Sequence, residues 1–128
     1  MFRDTTAFSG FGVNDIEAAR AFYRDKLGVE TKDLGDGSMF ELHLPGSKAN
    51  VLVYPRPEHE PAEYTILNFQ VKDVDAAVDR LTQQGVPMAR FDGFEQDDKG
   101  IMRDNGPTIA WFRDPAGNIL SVIADDPM

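Results

Sequence analysis

The sequence contains no cysteine, which excludes disulfides, thiolate catalysis and cysteine-ligated zinc or iron–sulfur sites. No apolar run approaches the roughly 20 residues of a membrane-spanning helix, and the N-terminus lacks the apolar core of a signal peptide. Basic residues are also few, with 13 Lys and Arg against 22 Asp and Glu, for a net charge of −9. This charge repels phosphate backbones and anionic lipid surfaces. We therefore expect a cytoplasmic protein that binds neither nucleic acid nor membrane.

The chain has 128 residues, 41% of them hydrophobic, which is enough for one sizeable core. Residues 11–19 (FGVNDIEAA) return 58 positions later as residues 69–77 (FQVKDVDAA), with five identical positions in register. Such an echo indicates a duplicated unit. We predict a single domain over residues 1–128, built from one module at about 5–56 and a second at about 63–125.

Each half of the sequence has the pattern of a strand, a helix and further strands. Asn14 with Glu17 predicts a capping box at the start of the first helix, and Gly28 and Gly85 mark the two helix ends. Alternating apolar residues between turn signals predict the strands. Each half is therefore predicted to fold as βαβββ in an α+β architecture. The predicted strands are residues 8–13, 30–34, 38–44, 50–54, 66–71, 86–91, 108–112 and 118–123.

Three motifs carry a family resemblance: VND at residues 13–15, AFYRDKLG at 21–28 and FRDPAGN at 112–118. With them the chain resembles the vicinal oxygen chelate superfamily of glyoxalase I, bleomycin-resistance proteins, fosfomycin-resistance enzymes and extradiol dioxygenases. The resemblance implies two βαβββ modules whose curved mixed sheets form a cavity, with the helices outside. It also implies a homodimer.

Enzymes of this superfamily hold a divalent metal through His, Gln or Glu at set positions. The resemblance places those positions at Phe8, Ile66 and Ser121, with a fourth among residues 51–54 (VLVY). Hydrocarbon side chains cannot replace the water shell of a divalent ion. We therefore expect no metal and no cofactor, with a divalent metal at a displaced site as the alternative.

The cavity wall supplies the candidate ligand-binding residues. Strand alternation turns Ile66 and Asn68 inward, and the resemblance places Trp111 in the pocket as a stacking platform, with simple core filling as its alternative. Tyr54 lies at the end of its predicted strand. There it either anchors a ligand or is simply a surface residue where the strand ends. The predicted ligand-binding residues are Phe8, Tyr54, Ile66, Asn68, Met102, Trp111 and Ser121.

The segment 92–107 is long for a connection in so small a domain, and it carries Phe94, Ile101 and Met102 among its charges. Long loops with their own apolar residues often act as lids or interface elements. We expect this segment to cover the cavity mouth or to dock on a second subunit. An irregular extra strand is the alternative.

Glu41 and His43 stand two residues apart on one predicted strand and therefore share a face. Turned inward, the carboxylate could orient the imidazole as a general acid/base pair; turned outward, both are surface residues. Glu41 and His43 are the catalytic candidates that the sequence offers.

The sequence favours a small-molecule-binding member of the superfamily that has lost the usual metal ligands. Two alternatives stay open, and with them the question of enzyme activity. One is a metal-dependent glyoxalase- or dioxygenase-type enzyme, and the other is a metal-free acid/base enzyme that uses Glu41 and His43.

Overall fold

The computed structural model describes residues 1–104 and 106–125. The chain divides into two compact units, Met1–Glu60 and Pro61–Met128. Their boundary falls in the proline-bearing stretch that separates the two predicted modules. The predicted domain limits also take in residues 105 and 126–128, which lie outside the described residues.

The first unit is a four-stranded mixed sheet with one helix. Its elements are β1 (Gly10–Val13), α1 (Ile16–Ala21) continued by a π-helical turn (Phe22–Lys26), β2 (Glu30–Leu34), β3 (Met39–His43) and β4 (Val51–Pro55). The strand order is β1-β4-β3-β2, with β1 parallel to β4 and the other pairs antiparallel. Its most deeply buried side chains are Val13, Tyr23, Phe40, Leu42 and Val53.

The second unit repeats this plan and adds a short strand. Its elements are β5 (Thr65–Val71), α2 (Val74–Gln83), β6 (Met88–Ala89), β7 (Ile101–Met102), β8 (Ile109–Arg113) and β9 (Ile119–Ala124). The order is β5-β9-β8-β6, with β5 parallel to β9, while β7 also pairs with β8. Helix α2 packs on β8 and β9. Two open mixed sheets with a helix each confirm the predicted α+β fold class.

The two helices begin at equivalent positions of the repeat. The Asp15 carboxylate accepts hydrogen bonds from the backbone N–H groups of Glu17 and Ala18, and Asp73 accepts one from Ala76. The predicted Asn14 cap is therefore wrong by one residue. Asp15 has the extended backbone of a cap, and its carboxylate interacts favourably with the positive end of the helix dipole.

The sixth strand is shorter than predicted. Only Met88–Ala89 of the expected strand 86–91 pairs with β8, and Ile101–Met102 pairs farther along the same strand. Pro87 has no N–H to donate, and the Gln96 side chain takes the backbone hydrogen bonds of Ala89 and Phe91. The ladder therefore stops at Ala89.

Among residues 1–104 and 106–125, no helix has both the length and the apolar character needed to cross a membrane.

Candidate functional site

The candidate site lies on one face of the second unit's sheet. Residues in register on neighbouring strands share a face, and Trp111 is in register with Ala89 on β6 and Ser121 on β9. Its chain neighbours Ala110 and Phe112 point to the opposite face and are almost completely buried. Because side chains alternate along β8, Trp111 lies on the opposite face of the sheet from Ala110 and Phe112.

Three aromatic rings pack together on this face. The centroid of Trp111 lies 5.6 Å from that of Phe91, with the ring planes at 88°, and 5.3 Å from that of Phe94 at 40°. The centroids of Phe91 and Phe94 are 6.0 Å apart. These are the separations of attractive edge-to-face and tilted pairs. The three rings therefore form a mutually supporting aromatic cluster.

A cavity of about 320 Å³ opens beside the cluster. Trp111 is only 7% exposed, whereas Phe94 and Tyr64 on the rim are 49% and 71% exposed. Sites for small ligands start near 300 Å³, so the cavity has the volume of a small ligand site. The residues that line it are Glu63, Tyr64, Thr65, Phe91, Phe94, Trp111 and Ile119.

Thr65 occupies the place that alternation predicted for Ile66. The register between β5 and β9 shifts between Thr65 and Leu67, so Thr65 pairs with Ile119 and reaches the pocket. The indole Nε1–H of Trp111 donates to the Thr65 hydroxyl at 3.1 Å. This hydrogen bond satisfies the buried indole nitrogen and fixes the orientation of its ring.

Gln96 holds the backbone that carries two of the rings. Its side-chain oxygen accepts from the Phe91 N–H at 2.9 Å, and its amide nitrogen donates to the carbonyls of Ala89 and Gly100 at 2.9 and 2.8 Å. One side chain therefore makes three backbone hydrogen bonds, which close the turn between β6 and β7. That turn places Phe91 and Phe94 against Trp111.

Ion pairs tie the same segment to helix α2. Arg103 contacts both Asp75 and Asp97, and Lys99 contacts Asp79. The hydrogen bonds from Arg103 lower the pKa of Asp75, and the two carboxylates raise the pKa of Arg103 above its ordinary value. The hydrogen bond from the backbone N–H of Ile101 lowers the pKa of Asp97, and the hydrogen bond from Arg103 lowers it further. Together with Gln96, these contacts give the segment a defined conformation.

The segment 92–107 therefore contains the extra strand expected as the alternative, because Ile101–Met102 pairs with β8. Asn105, within this segment, is outside the described residues. Phe94 nevertheless lies on the pocket, so the turn before the strand forms one of its walls.

The second unit contains five of the seven predicted ligand-binding residues. Met102 packs against the cluster of Ala89, Trp111 and Ile119. The Ser121 hydroxyl, fully buried, donates to Asn68 Oδ1 at 2.5 Å. Ile66 does not line the cavity.

The first unit contains the other two predicted residues. Phe8 precedes β1 and is 69% exposed, and Tyr54 is half-buried on β4 in register with Gly12.

Glu41 and His43 lie on the face of β3 opposite the buried Phe40 and Leu42. The ring Nδ1 of His43 is 3.2 Å from Asn50 Oδ1, so the neighbour of the imidazole is an amide. Glu41, half-buried, is in register with Lys32 and Leu52 instead. His43 is exposed and Glu41 half-buried on this face.

Sequence reasoning missed Glu63, Tyr64, Thr65, Phe91 and Ile119 as pocket residues. Thr65 depends on a register shift that leaves no mark in the sequence. The sequence pattern places Phe91 at the end of the predicted strand 86–91. Its spacing of three residues from Phe94 is the signal that could have indicated two neighbouring aromatic rings in a turn. Both rings reach Trp111 only through tertiary pairing.

The residues at the superfamily's metal positions do not fit a divalent ion. Phe8 and Ile66 offer hydrocarbon, and the Ser121 hydroxyl already donates to Asn68. Within residues 1–104 and 106–125, no group of three or more His, Asp or Glu side chains is placed to hold a metal. No chemical step is therefore assigned to such an ion.

Solved structures share this fold at low sequence identity. TnmS3, an antibiotic binding protein from Streptomyces sp. CB03234, is 21% identical and has a TM-score of 0.70, with 96% of this chain and 98% of that chain covered. A glyoxalase/bleomycin resistance protein from Catenulispora acidiphila is 24% identical, with a TM-score of 0.67 and coverage of 94% and 98%. A lactoylglutathione lyase from Agrobacterium tumefaciens is 21% identical, with a TM-score of 0.66 and coverage of 95% and 94%.

Among curated proteins, none matches the sequence significantly. The sequence model described as "Glyoxalase/Bleomycin resistance protein/Dioxygenase superfamily" matches residues 6–122, which is most of the chain. This match confirms the resemblance seen in the sequence motifs. The chain therefore belongs to the glyoxalase/bleomycin resistance protein/dioxygenase superfamily.

Proposed function

We propose that the protein binds a flat small molecule in the aromatic pocket of its second unit. The observation that carries this proposal is the cavity of about 320 Å³ beside the rings of Phe91, Phe94 and Trp111. An aromatic wall of this kind binds planar ligands by stacking. The structural neighbours that are named as an antibiotic binding protein and a bleomycin resistance protein support a binding role.

The remaining predicted ligand-binding residues stay separate proposals. Met102 packs against Trp111, and the exposed Asn68 supplies a polar group on the same face of the sheet, where it accepts from the buried Ser121 hydroxyl. Phe8 and Ile66, which do not line this pocket, stay proposed ligand contacts on the strength of the superfamily resemblance, and Tyr54 on its position at the end of its strand.

Ligand binding at this site can be followed directly, because Trp111 is the single tryptophan of the chain. Titration with quinoline, a neutral two-ring aromatic, is expected to change the emission of Trp111 saturably, with calorimetry giving the same Kd. In the variant Phe94→Ala we expect affinity to fall about fivefold, since one stacked ring contributes about 1 kcal/mol.

The matched control is Phe2→Ala, which removes an exposed phenylalanine from the first unit. Its Kd should equal that of the unaltered protein. A linear, unsaturable emission change, or equal losses in the two variants, would contradict binding at the aromatic pocket.

We propose further that binding needs no metal, because the side chains at the superfamily's metal positions are Phe8, Ile66 and Ser121. Addition of Mn²⁺, Ni²⁺, Zn²⁺ or Fe²⁺ is expected to shift the Tm by less than about 1 °C, since a ligand stabilises a protein only by binding its folded state. EDTA should leave the Kd for quinoline unchanged. A stabilisation of several degrees that is lost in His43→Ala would instead support the displaced metal site.

A homodimer and a cytoplasmic location also belong to the proposal. In the part of the chain that the structure describes, β1, β2, β5 and β6 are end strands of their sheets, and pairing between subunits is one way to cover such edges. The cytoplasmic location rests on the absence of cysteine.

A further inference from the structure

The pocket lining is unbalanced in charge. Four of its side chains are the aromatic rings of Tyr64, Phe91, Phe94 and Trp111, and Glu63 is its one charged group among the described residues. The faces of aromatic rings carry partial negative charge. A carboxylate beside such rings favours a cationic ligand over an anionic one.

The Glu63 carboxylate is available to a ligand. It is exposed and forms no hydrogen bond or ion pair with any residue in the ranges 1–104 and 106–125. Thr65, the neighbouring polar group of the lining, already accepts from the Trp111 indole. Glu63 is therefore the charged acceptor of the pocket, and it has no partner among the described residues.

One ring of the pocket already binds a cation within the protein. The guanidinium carbon of Arg113 lies 5.3 Å from the centroid of Phe91, within the range of a cation–π contact. Arg113 is not among the residues that line the cavity. The rings of Phe94 and Trp111 carry no such internal cation among the described residues.

The charge of the whole chain acts in the same direction. At −9, its field attracts cations over distances of about a Debye length and repels anions.

We propose that the pocket selects planar aromatic cations, meaning fused-ring molecules with a permanent or protonated nitrogen. The ring system stacks on the exposed ring of Phe94 beside Trp111, and the cationic nitrogen pairs with the Glu63 carboxylate. This assignment names the ligand class of the proposed binding function and rests on that function.

The test compares three probes of similar size by calorimetry at pH 8: N-methylquinolinium (cation), quinoline (neutral) and 1-naphthoate (anion). We expect the cation to bind about tenfold more tightly than quinoline, and the anion more weakly than both. Glu63→Gln should weaken N-methylquinolinium binding about fivefold and leave quinoline unchanged.

Glu95→Gln is the matched control, because Glu95 is also exposed and follows Phe94 in the chain, but does not line the cavity. It alters the net charge by the same amount and should leave all three affinities unchanged. Thermal melting of both variants verifies folding.

The outcomes separate the two proposals. Equal affinities for the cation and quinoline, tighter binding of the anion, or equal losses in the Glu63 and Glu95 variants overturn the ligand class and leave the binding function intact. Loss of quinoline binding in Glu63→Gln also overturns it, since the carboxylate then acts on the shape of the pocket. Failure of all three probes to bind overturns the binding function and the ligand class together.

Discussion

Trp111→Ala is expected to lower the free energy of unfolding by about 3–5 kcal/mol, the usual cost of truncating a large core aromatic. Trp111 is 7% exposed and supports Phe91, Phe94, Ala89 and Ile119 on its face of the sheet. Its removal leaves a void under the pocket and deprives Thr65 of its indole donor. Urea unfolding followed by circular dichroism measures the loss.

Two variants bracket this result. Trp111→Phe keeps a ring but loses volume and the N–H donor, so we expect a smaller cost of about 1–2 kcal/mol. Tyr64→Ala removes an aromatic ring from the rim, where the side chain is 71% exposed, and should cost less than about 1 kcal/mol. A cost for Trp111→Ala no greater than that for Tyr64→Ala would show that the tryptophan is not part of the packed structure.

Gln96→Ala should have the second-largest effect, a loss of about 2–4 kcal/mol in the free energy of unfolding. The substitution leaves the Phe91 N–H and the carbonyls of Ala89 and Gly100 without their side-chain partner. A partly buried backbone group that loses its hydrogen-bond partner destabilises the folded protein. Because the same turn carries Phe94, affinity for quinoline should fall as well.

Hydrogen exchange offers a sharper readout for this variant. The Phe91 amide donates to Gln96, so its protection factor should fall in Gln96→Ala more than that of amides in β9. Gln83→Ala, an exposed glutamine in α2, is the matched control and should leave stability within about 0.5 kcal/mol. Unchanged exchange at Phe91 would contradict the role of Gln96 as the residue that positions this turn.

The sequence predicted those parts of the fold that depend on local pattern. The bounds of β2, 30–34, are those expected, because alternation and a flanking Gly-Asp-Gly turn define them. The two helices lie where the repeat and the Gly28 and Gly85 ends predict them, although Asp15 rather than the predicted Asn14 caps the first. Such features need no knowledge of the partner strands.

The pocket could not be predicted in the same way, because it depends on contacts between distant residues. The register shift at Ile66 brings Thr65 to Trp111 across 46 positions of sequence. The short β6 results from a glutamine side chain that competes with strand pairing. Local propensity predicts neither the register shift nor the competing side chain. Strand alternation alone therefore does not identify Thr65 or Phe91 as pocket residues.

The interrupted ladder on β8 has a consequence for how this protein can change. Ala89 pairs with Trp111, and Ile101 pairs with Ala110, so both ends of the intervening stretch are anchored at adjacent positions of one strand. Insertions or replacements between those anchors that keep Gln96 leave the sheet's pairing intact while they reshape the wall of the pocket. The second unit thus contains a loop that can vary on a constant framework, and libraries randomised there at positions other than Gln96 should alter the proposed ligand preference.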